Sequence, residues 1–516
     1  MKKTNGLKDF SELDHILKQW PSICNDMVCS FQNYSAGISR YSSDFYLAFA
    51  ISAKYFKQVE TKKMLSSAPS QTLAAYFQLS QFNNKLLNRA FWPALVSSLK
   101  YNLFENQRYL TAFLKSFLSF DFKELADVSK RQAQLTAILT EHYPQAIKEI
   151  EPEYGFHFER GINPLVDESD RFFLYQIMPT DPEVAVKMDA KPVIIIPPYV
   201  LGANILGFLP KENRSYAHNF ANHSIPTYIR ILKDIKNTKA VQVMTAEDDC
   251  LDTRQFCCTV MKRHGKPITL NGYCQGGFSS LCNILSGELD NLVDAFITCV
   301  SPMDGTRSKG LSGFLKDLPQ RYNDLAYGTK TLASGVKVAD GKLMGWIYKL
   351  NSIESEFPIT AFHRDLMLFS KSNPTEPGIS KTAAAINYWL LNERSDLPLD
   401  ITRMSFASFT TPITDDGTLP VKLFDHKLNL KRIKEKQIPW LICYGQSDDL
   451  VEPETALAPI DYINAEVSPF PKGHIAIATT WSNPKSDYAL HTTFDDGKHR
   501  GPVKFQLDLD MKKHPV

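Results

Sequence analysis

One hexapeptide, Gly272-Tyr273-Cys274-Gln275-Gly276-Gly277, places a reactive side chain between glycines. The short apolar run 268–270 precedes it. After it, apolar residues recur at the spacing of one helical face, at Phe278, Leu281, Cys282 and Leu285. A strand, a sharp turn and a helix are the context of a nucleophile elbow, here with cysteine in the place of serine. Glycines are needed there because the nucleophile has a strained backbone and the strand and helix pass close together. We therefore predict that Cys274 is a nucleophile.

A base and an orienting acid follow later in the chain. A thiol needs a base to become a thiolate near neutral pH, and that base needs an acid to hold it. Asp448 comes after the apolar run 440–444, and His474 comes after a further short run, 467–470. The order nucleophile, acid, histidine is that of the α/β hydrolases. Each residue alone would more often be structural, but their order and their places after predicted strands favour a triad, with Asp449 as the alternative acid.

An oxyanion hole in this setting uses two backbone N–H groups. The first should belong to Gln275, directly after the nucleophile, and the second to the loop after an earlier strand. The loop after the run 193–196 begins with two prolines, Pro197 and Pro198, which have no N–H. The second donor is therefore Tyr199 or Val200, and we prefer Val200.

The elements that would position these residues begin at about residue 191. Short apolar runs alternate with helical patterns from there on, at 193–196, 227–231, 268–270, 296–300 and 440–444. Thr245 and Asp248 resemble a capping box that opens a helix before the elbow. This alternation predicts a parallel sheet covered on both faces. We expect an α/β-hydrolase catalytic domain over residues 166–516, with a cap or lid insertion at about 305–430.

The first third of the chain has a different pattern. Apolar residues recur at helical spacing between 109 and 118, and again at 86–91, where a helix should stop near Pro93. We predict a helical N-terminal domain over residues 1–165. This domain could pack on the catalytic part or on a second subunit, or its Phe-rich stripe could lie on a lipid or polymer surface.

Composition excludes several classes of protein. The 516 residues are 43% hydrophobic and 22% charged, with a net charge of +2, which is ordinary for a globular protein and does not favour nucleic acid as a partner. The nine cysteines show no CxxC pair and no zinc spacing, so we expect no metal site and reduced thiols. The N-terminus lacks the apolar core of a signal peptide, and no run approaches ~18 apolar residues, so we expect no transmembrane segment and a cytoplasmic protein.

The hexapeptide resembles the cysteine lipase box, Gly-x-Cys-x-Gly-Gly, of the poly(3-hydroxyalkanoate) synthases. Four other segments are similar to that family's motifs: Pro197-Pro198-Tyr199, Tyr388-Trp389 with Leu397-Pro398, Asp448-Asp449-Leu450-Val451, and Gly473-His474-Ile475-Ala476. The chain departs from the family in three places. Asp449 replaces a histidine, Leu201-Gly202-Ala203 replaces Asn-Lys-(Tyr/Phe), and residues 230–233 stand where the family has Ser-Trp-x-Asn-Pro.

This resemblance implies a divergent acyltransferase that polymerises 3-hydroxyacyl-CoA through an acyl-cysteine and releases CoA. It implies no metal or redox cofactor, and it suggests a polyester granule surface and a second copy of the chain as partners. Two alternatives remain, one of which uses the same three catalytic residues and one of which involves no catalysis. The first is a thioesterase or intracellular polyester depolymerase with water as the acceptor, and the second is a granule-associated or scaffold protein without turnover.

Overall fold

The computed structural model describes residues 6–64, 69–119, 121–317, 325–370 and 379–511. Its strands are β1 Leu165–Glu168, β2 Phe172–Ile177, β3 Val193–Ile196, β4 Thr227–Leu232, β5 Ile268–Tyr273, β6 Val293–Cys299, β7 Thr329–Thr331, β8 Lys337–Ala339, β9 Thr418–Leu423, β10 His426–Asn429, β11 Trp440–Gly445, β12 Glu466–Phe470, β13 Thr493–Phe494 and β14 His499–Arg500.

The helices are α1 Gly6–Met64, α2 Pro69–Ser119, α3 Lys123–Ala137, α4 Tyr143–Glu149, α5 Tyr216–Ala221, α6 Lys239–Gln242, α7 Ala246–His264, α8 Gln275–Ser286, α9 Leu311–Asp317, α10 Gly341–Asn351, α11 Ile353–Glu356, α12 Pro358–Ser370, α13 Lys381–Asn392, α14 Leu399–Thr410, α15 Lys431–Glu435, α16 Pro453–Ala456, α17 Ala476–Thr479 and α18 Pro502–Met511. A π-helical turn, Ile138–His142, joins α3 to α4. None of the described helices has the length and hydropathy needed to cross a membrane.

The largest sheet of the described chain has eight strands in the order β1-β2-β4-β3-β5-β6-β11-β12. β2 runs antiparallel to β1 and to β4. From β4 to β12 every neighbouring pair is parallel. A single early crossover, followed by parallel strands added in sequence, is the topology of the α/β-hydrolase fold. The predicted fold class is therefore confirmed.

Buried apolar runs account for the parallel strands. All four residues of β3 and all six of β5 are buried, as expected for strands covered on both faces. The helix before the elbow, α7, opens with the predicted capping box of Thr245 and Asp248. The antiparallel pair β1 and β2 was not predicted, because β1 is short and largely exposed and shows no apolar run.

The described chain forms two compact units. The helical unit consists of Met1–Glu149 and Ser352–Ala384, and the sheet unit consists of Ile150–Asn351 and Ala385–Val516. The boundary predicted at about residue 165 thus lies at the start of β1, inside the sheet unit. Part of the predicted insertion at about 305–430 belongs to the helical unit, and the rest belongs to the sheet unit.

The core of the helical unit explains why Ser352–Ala384 belongs to it. Phe362 of α12 is fully buried in a cluster with residues of α2, α3 and the π-helical turn. A Cβ placed on Gly37 of α1 would lie 2.4 Å from the Phe362 ring. The next residue, His363, pairs its Nε2 with the Tyr34 hydroxyl at 2.7 Å. α12 is therefore part of this unit's interior.

The second helix does not end where the sequence predicted. α2 continues through Pro93 to Ser119, so the stop near Pro93 is wrong. A proline inside a helix removes one hydrogen bond, and here the helix is supported on both sides of it by buried Ala90 and Ala94. The predicted apolar stripe lies partly on the exposed side, where Leu110 is 60% exposed and Leu118 is 84% exposed.

Candidate active site

Cys274 lies between the end of β5 and the first residue of α8. Its backbone has φ 51° and ψ −123°, a conformation that costs a non-glycine residue about 1–3 kcal/mol. The Cys274 N–H donates to the Cys299 carbonyl of β6 at 2.8 Å, which anchors the turn to the neighbouring strand. Its side chain is buried, and the residue is 5% exposed. Strand, strained turn and helix are thus arranged as the hexapeptide predicts.

Close approaches of the backbone explain the glycines around Cys274. A Cβ on Gly276 would lie 2.2 Å from the carbonyl oxygen of Ile196, at the end of β3. A Cβ on Gly277 would lie 1.9 Å from the Ser301 hydroxyl. Real Cβ atoms do not approach other atoms this closely, so each position admits glycine alone unless its neighbour moves. The glycines let α8 lie directly against the ends of the strands.

Asp448 and His474 are hydrogen-bonded to each other. The His474 Nδ1 lies 2.8 Å from Oδ2 of Asp448. The other carboxylate oxygen, Oδ1, accepts the backbone N–H groups of Leu450 and Val451, each at 2.9 Å. The Asp448 side chain is fully buried, whereas Asp449 is exposed. The geometry therefore places Asp448 at the histidine.

The second ring nitrogen of His474 has a different environment. Nε2 is buried and makes no hydrogen bond of ordinary length and angle within the described part of the chain. Burial alone would lower the pKa of His474, but Asp448 and then Cys274 interact with the ring and raise the pKa well above its ordinary value. The raised pKa means that the ring, which faces Asp448 and Cys274, holds its proton more tightly than a free imidazole does.

One contact in this region has no signal in the sequence. The hydroxyl of Tyr273, directly before Cys274, donates to the carbonyl oxygen of His474 at 3.1 Å. This bond ties the end of β5 to the loop that carries the histidine. A tyrosine at the end of a strand is common, so nothing in the pattern identifies it as a contact of His474.

The two residues predicted to supply the oxyanion donors are hydrogen-bonded to each other. The Val200 N–H donates to the side-chain Oε1 of Gln275, the residue after Cys274, at 3.2 Å. The Gln275 N–H belongs to the first residue of α8, where a helix leaves its N–H groups without helical partners. Tyr199, the alternative donor, instead sends its side chain into the interior beneath the site, where its hydroxyl bonds Asp249.

A narrow, mainly apolar cavity of about 30 Å³ adjoins Gln275. Its wall consists of Gln275, Leu311, Leu315, Met344, Leu397, Thr402, Ser405, Phe406 and Phe409. Four of these residues lie on one face of α14, at spacings of three and four. The space holds about one water molecule, so an acyl chain could enter only if side chains move.

In the described part of the chain, no group of three or more His, Cys, Asp or Glu side chains could hold a metal ion.

No family model matches the chain, and no curated protein matches it. Among solved structures, one from a study of carboxylesterases of the thaumarchaeon Nitrososphaera gargenis is similar to this chain, with 14% sequence identity and a TM-score of 0.34. The match covers 61% of this chain and 92% of that one. The structure of DcsB with its substrate analogue has 13% sequence identity and a TM-score of 0.37, and the match covers 68% of this chain and 98% of DcsB. The thioesterase domain from the curacin biosynthetic pathway has 10% sequence identity and a TM-score of 0.34, and the match covers 61% of this chain and 94% of that domain.

Likenesses of this size carry no information on the substrate of this chain. The sheet order, the strained turn at Cys274 and the Asp448–His474 hydrogen bond are properties of the chain itself. The chain has the α/β-hydrolase fold, and it brings a cysteine, a histidine and an aspartate to the ends of its parallel strands.

Proposed function

We propose that the protein is an acyltransferase that joins 3-hydroxyacyl units from CoA thioesters through an acyl-cysteine intermediate. The observation that carries the proposal is a cysteine in a strained elbow whose neighbouring histidine is held by a buried aspartate at 2.8 Å. Thioester exchange onto a thiol is nearly isoenergetic, which suits cysteine. The motifs shared with poly(3-hydroxyalkanoate) synthases supply the substrate class.

In the first half-reaction, His474 holds the proton of Cys274 and the thiolate attacks the thioester carbonyl. The oxyanion accepts the N–H groups of Gln275 and Val200, so the Gln275 side chain must leave the Val200 N–H as the substrate arrives. The carbon–sulfur bond to CoA breaks, the proton from His474 goes to the departing CoA thiolate, and an acyl group remains on Cys274. Asp448 keeps the imidazole oriented and stabilises its charged form.

In the second half-reaction, His474 takes the proton of the 3-hydroxyl group of another acyl unit. That oxygen attacks the acyl-cysteine carbonyl, an ester bond forms, and the bond between Cys274 and the acyl carbon breaks. The proton returns through His474 to the Cys274 sulfur. A polyester surface, a second copy of the chain and a cytoplasmic location are proposed on the same resemblance.

Hydrolysis by the same three residues is the second candidate. One observation favours it: the cavity next to Gln275, of about 30 Å³, can admit a water molecule as it stands, whereas a second acyl unit could enter only if the wall opened. Water would then attack the acyl-cysteine in place of the hydroxyl group, and the product would be a free 3-hydroxy acid.

Product analysis separates the two candidates. Purified protein is incubated with 3-hydroxybutyryl-CoA, and released CoA, free 3-hydroxybutyrate and polymer are measured over time. Polymer that accounts for most of the released CoA supports the acyltransferase. Free acid equal to the released CoA, with no polymer at any time, contradicts it in favour of the hydrolase.

A further inference from the structure

Beneath the site, Asp249 of α7 is a buried carboxylate that contacts two separate parts of the site's frame. Oδ2 of Asp249 accepts a hydrogen bond from the Ser279 hydroxyl at 2.6 Å and another from Asn283 Nδ2 at 2.8 Å. Both donors lie on α8, the helix that begins directly after Cys274. Asp249 is 0% exposed, so these bonds are shielded from water.

The other oxygen of the same carboxylate contacts the loop after β3. The Tyr199 hydroxyl donates to Asp249 Oδ1, and Tyr199 is the residue before Val200. Arg230 of β4 completes the group. Its Nη1 lies 2.7 Å from Asp249 Oδ1, and its Nη2 donates to the Tyr199 hydroxyl at 3.0 Å. Arg230 is 2% exposed, and its guanidinium lies over the Phe172 ring at 4.1 Å.

Isolated burial of either charge would cost several kcal/mol, and pairing alone seldom makes a buried ion pair stabilising compared with apolar residues. The pair does, however, have a fixed position. Both carboxylate oxygens of Asp249 accept from donors. Three of these donors, Tyr199, Ser279 and Asn283, belong to the two elements that carry the predicted oxyanion N–H groups, and the fourth is Arg230 of β4.

We propose that Asp249 and Arg230 are positioning residues for the oxyanion hole. Through Tyr199 they set the place of the Val200 N–H, and through Ser279 and Asn283 they set the place of α8 and the Gln275 N–H. This inference rests on the proposed function, because an oxyanion forms only if the protein transfers acyl groups. Arg230 begins the segment 230–233, at which the chain departs from the synthase pattern.

The test substitutes Tyr199→Phe, which removes the link to the loop and leaves the Arg230–Asp249 ion pair intact. Tyr228→Phe is the matched control, because Tyr228 is also fully buried and its hydroxyl bonds a side chain, His264, at 2.7 Å, away from α8. Two readouts are compared for each variant. The first is the turnover of 3-hydroxybutyryl-CoA and of p-nitrophenyl butyrate, and the second is the alkylation of Cys274 by iodoacetamide.

The two readouts differ in their need for an oxyanion hole. Acyl transfer passes through an oxyanion, whereas in alkylation the sulfur bonds to carbon and iodide leaves, with no charge developing on a carbonyl oxygen. Loss of an oxyanion donor costs about 10²–10³-fold in kcat, so a displaced donor should cost about 10–100-fold. We expect this loss in kcat for Tyr199→Phe, with KM and the alkylation rate within about twofold of wild type.

Three outcomes would overturn the inference. Tyr199→Phe could turn over both substrates as fast as Tyr228→Phe does, its alkylation could slow as much as its turnover, or its loss could lie in KM alone. If the proposed function itself is wrong, the result is different, because wild type then does not react with the CoA thioester. The activated ester then still tests the positioning role, because its cleavage also passes through an oxyanion.

Discussion

His474 uses its two ring nitrogens differently, and this difference determines what single substitutions should do. Nδ1 is bonded to a fully buried Asp448, while Nε2 makes no ordinary hydrogen bond in the described part of the chain. Asp448 in turn receives two backbone N–H groups, so its position does not depend on the histidine. Asp448 is thus held in place by the backbone, and in the proposed mechanism His474 is the group that exchanges a proton with Cys274.

Asp448→Asn should lower kcat for CoA release by about 10³–10⁴-fold, because an amide at this place no longer holds the right imidazole tautomer or stabilises its charged form. The matched substitution Asp449→Asn, next to it and exposed, should change kcat less than threefold. Steady-state CoA release by the two variants measures the difference. A larger loss for Asp449→Asn would reverse the assignment of the acid.

The proton on His474 also predicts how stability depends on pH. The folded-state pKa is raised above the ordinary value of 6.5, so the folded protein holds this proton more tightly than the unfolded chain does. The stabilisation is complete below about pH 6.5 and is lost as pH rises through the folded pKa. Wild type should therefore lose its advantage in unfolding free energy over Asp448→Asn as pH rises, by up to about 1.4 kcal/mol per pH unit.

Urea unfolding of the two proteins from about pH 6 to about pH 9 measures this difference. Titrations elsewhere in the chain are common to both proteins and cancel. A difference that stays constant, or that grows as pH rises, would show that Asp448 does not raise the pKa of His474.

At this scale, the sequence predicted the members of the site from their order and from the strands before them. It left Asp448 and Asp449 unresolved, because burial and the Leu450 and Val451 N–H groups are what distinguish them. It did not reveal Asp249 as a partner of Tyr199. An arginine within the apolar run 227–231 was nevertheless a usable signal, because a charge in a buried strand requires an opposite charge nearby.

At the junction of β5 and α8, two glycines have close neighbours of different kinds. Gly276 faces a backbone carbonyl of β3, which cannot move without shifting the sheet, whereas Gly277 faces a side chain, the hydroxyl of Ser301. The two glycines therefore differ in whether a second substitution can relieve an added methyl group.

Gly277→Ala should destabilise the protein by about 1–3 kcal/mol, because its Cβ would overlap the Ser301 side chain. Combining it with Ser301→Gly removes the atoms at 1.9 and 2.6 Å and should recover part of that loss. The control Gly313→Ala, with no atom within 4 Å of the new Cβ, should be neutral or stabilising. Urea unfolding of the singles and the double gives the coupling energy. A coupling of zero would contradict the proposed contact.

Buried strands were the most predictable elements, because runs such as 193–196 are continuous and apolar. β1 was missed because it is short, largely exposed and without an apolar run, and β2 was missed because its first residues alternate between buried and half-buried. The end of the helix at Pro93 was mispredicted for a physical reason: proline weakens a helix locally, and packing at Ala90 and Ala94 outweighs that cost.

On the scale of the whole molecule, the segment Ser352–Ala384 lies far along the chain from the N-terminal helices yet belongs to their compact unit. Local periodicity cannot predict such an assignment, because it depends on contacts such as Phe362 with Gly37, which are distant in sequence. Sequence reasoning could place the insertion between strands but not the unit that part of it joins.

Phe362→Ala should destabilise the helical unit by about 3–5 kcal/mol, since its ring is fully buried in that unit's core. Hydrogen exchange followed by mass spectrometry should show faster exchange in α1, α2, α3 and α12, with β3 and β5 unchanged. Phe296→Ala, at a fully buried position of β6, should give the reverse pattern. Faster exchange in α12 alone would show that it is not part of the helical core.

The account as a whole depends on Cys274 forming a covalent acyl intermediate. Wild type and Cys274→Ala are mixed with 3-hydroxybutyryl-CoA, quenched in acid within seconds and analysed by intact-mass and peptide mass spectrometry. We predict a 3-hydroxybutyryl adduct on the peptide containing Cys274 in wild type, with CoA released in step, and neither in Cys274→Ala. Equal release of CoA by the two proteins, with no adduct on Cys274, would contradict the account.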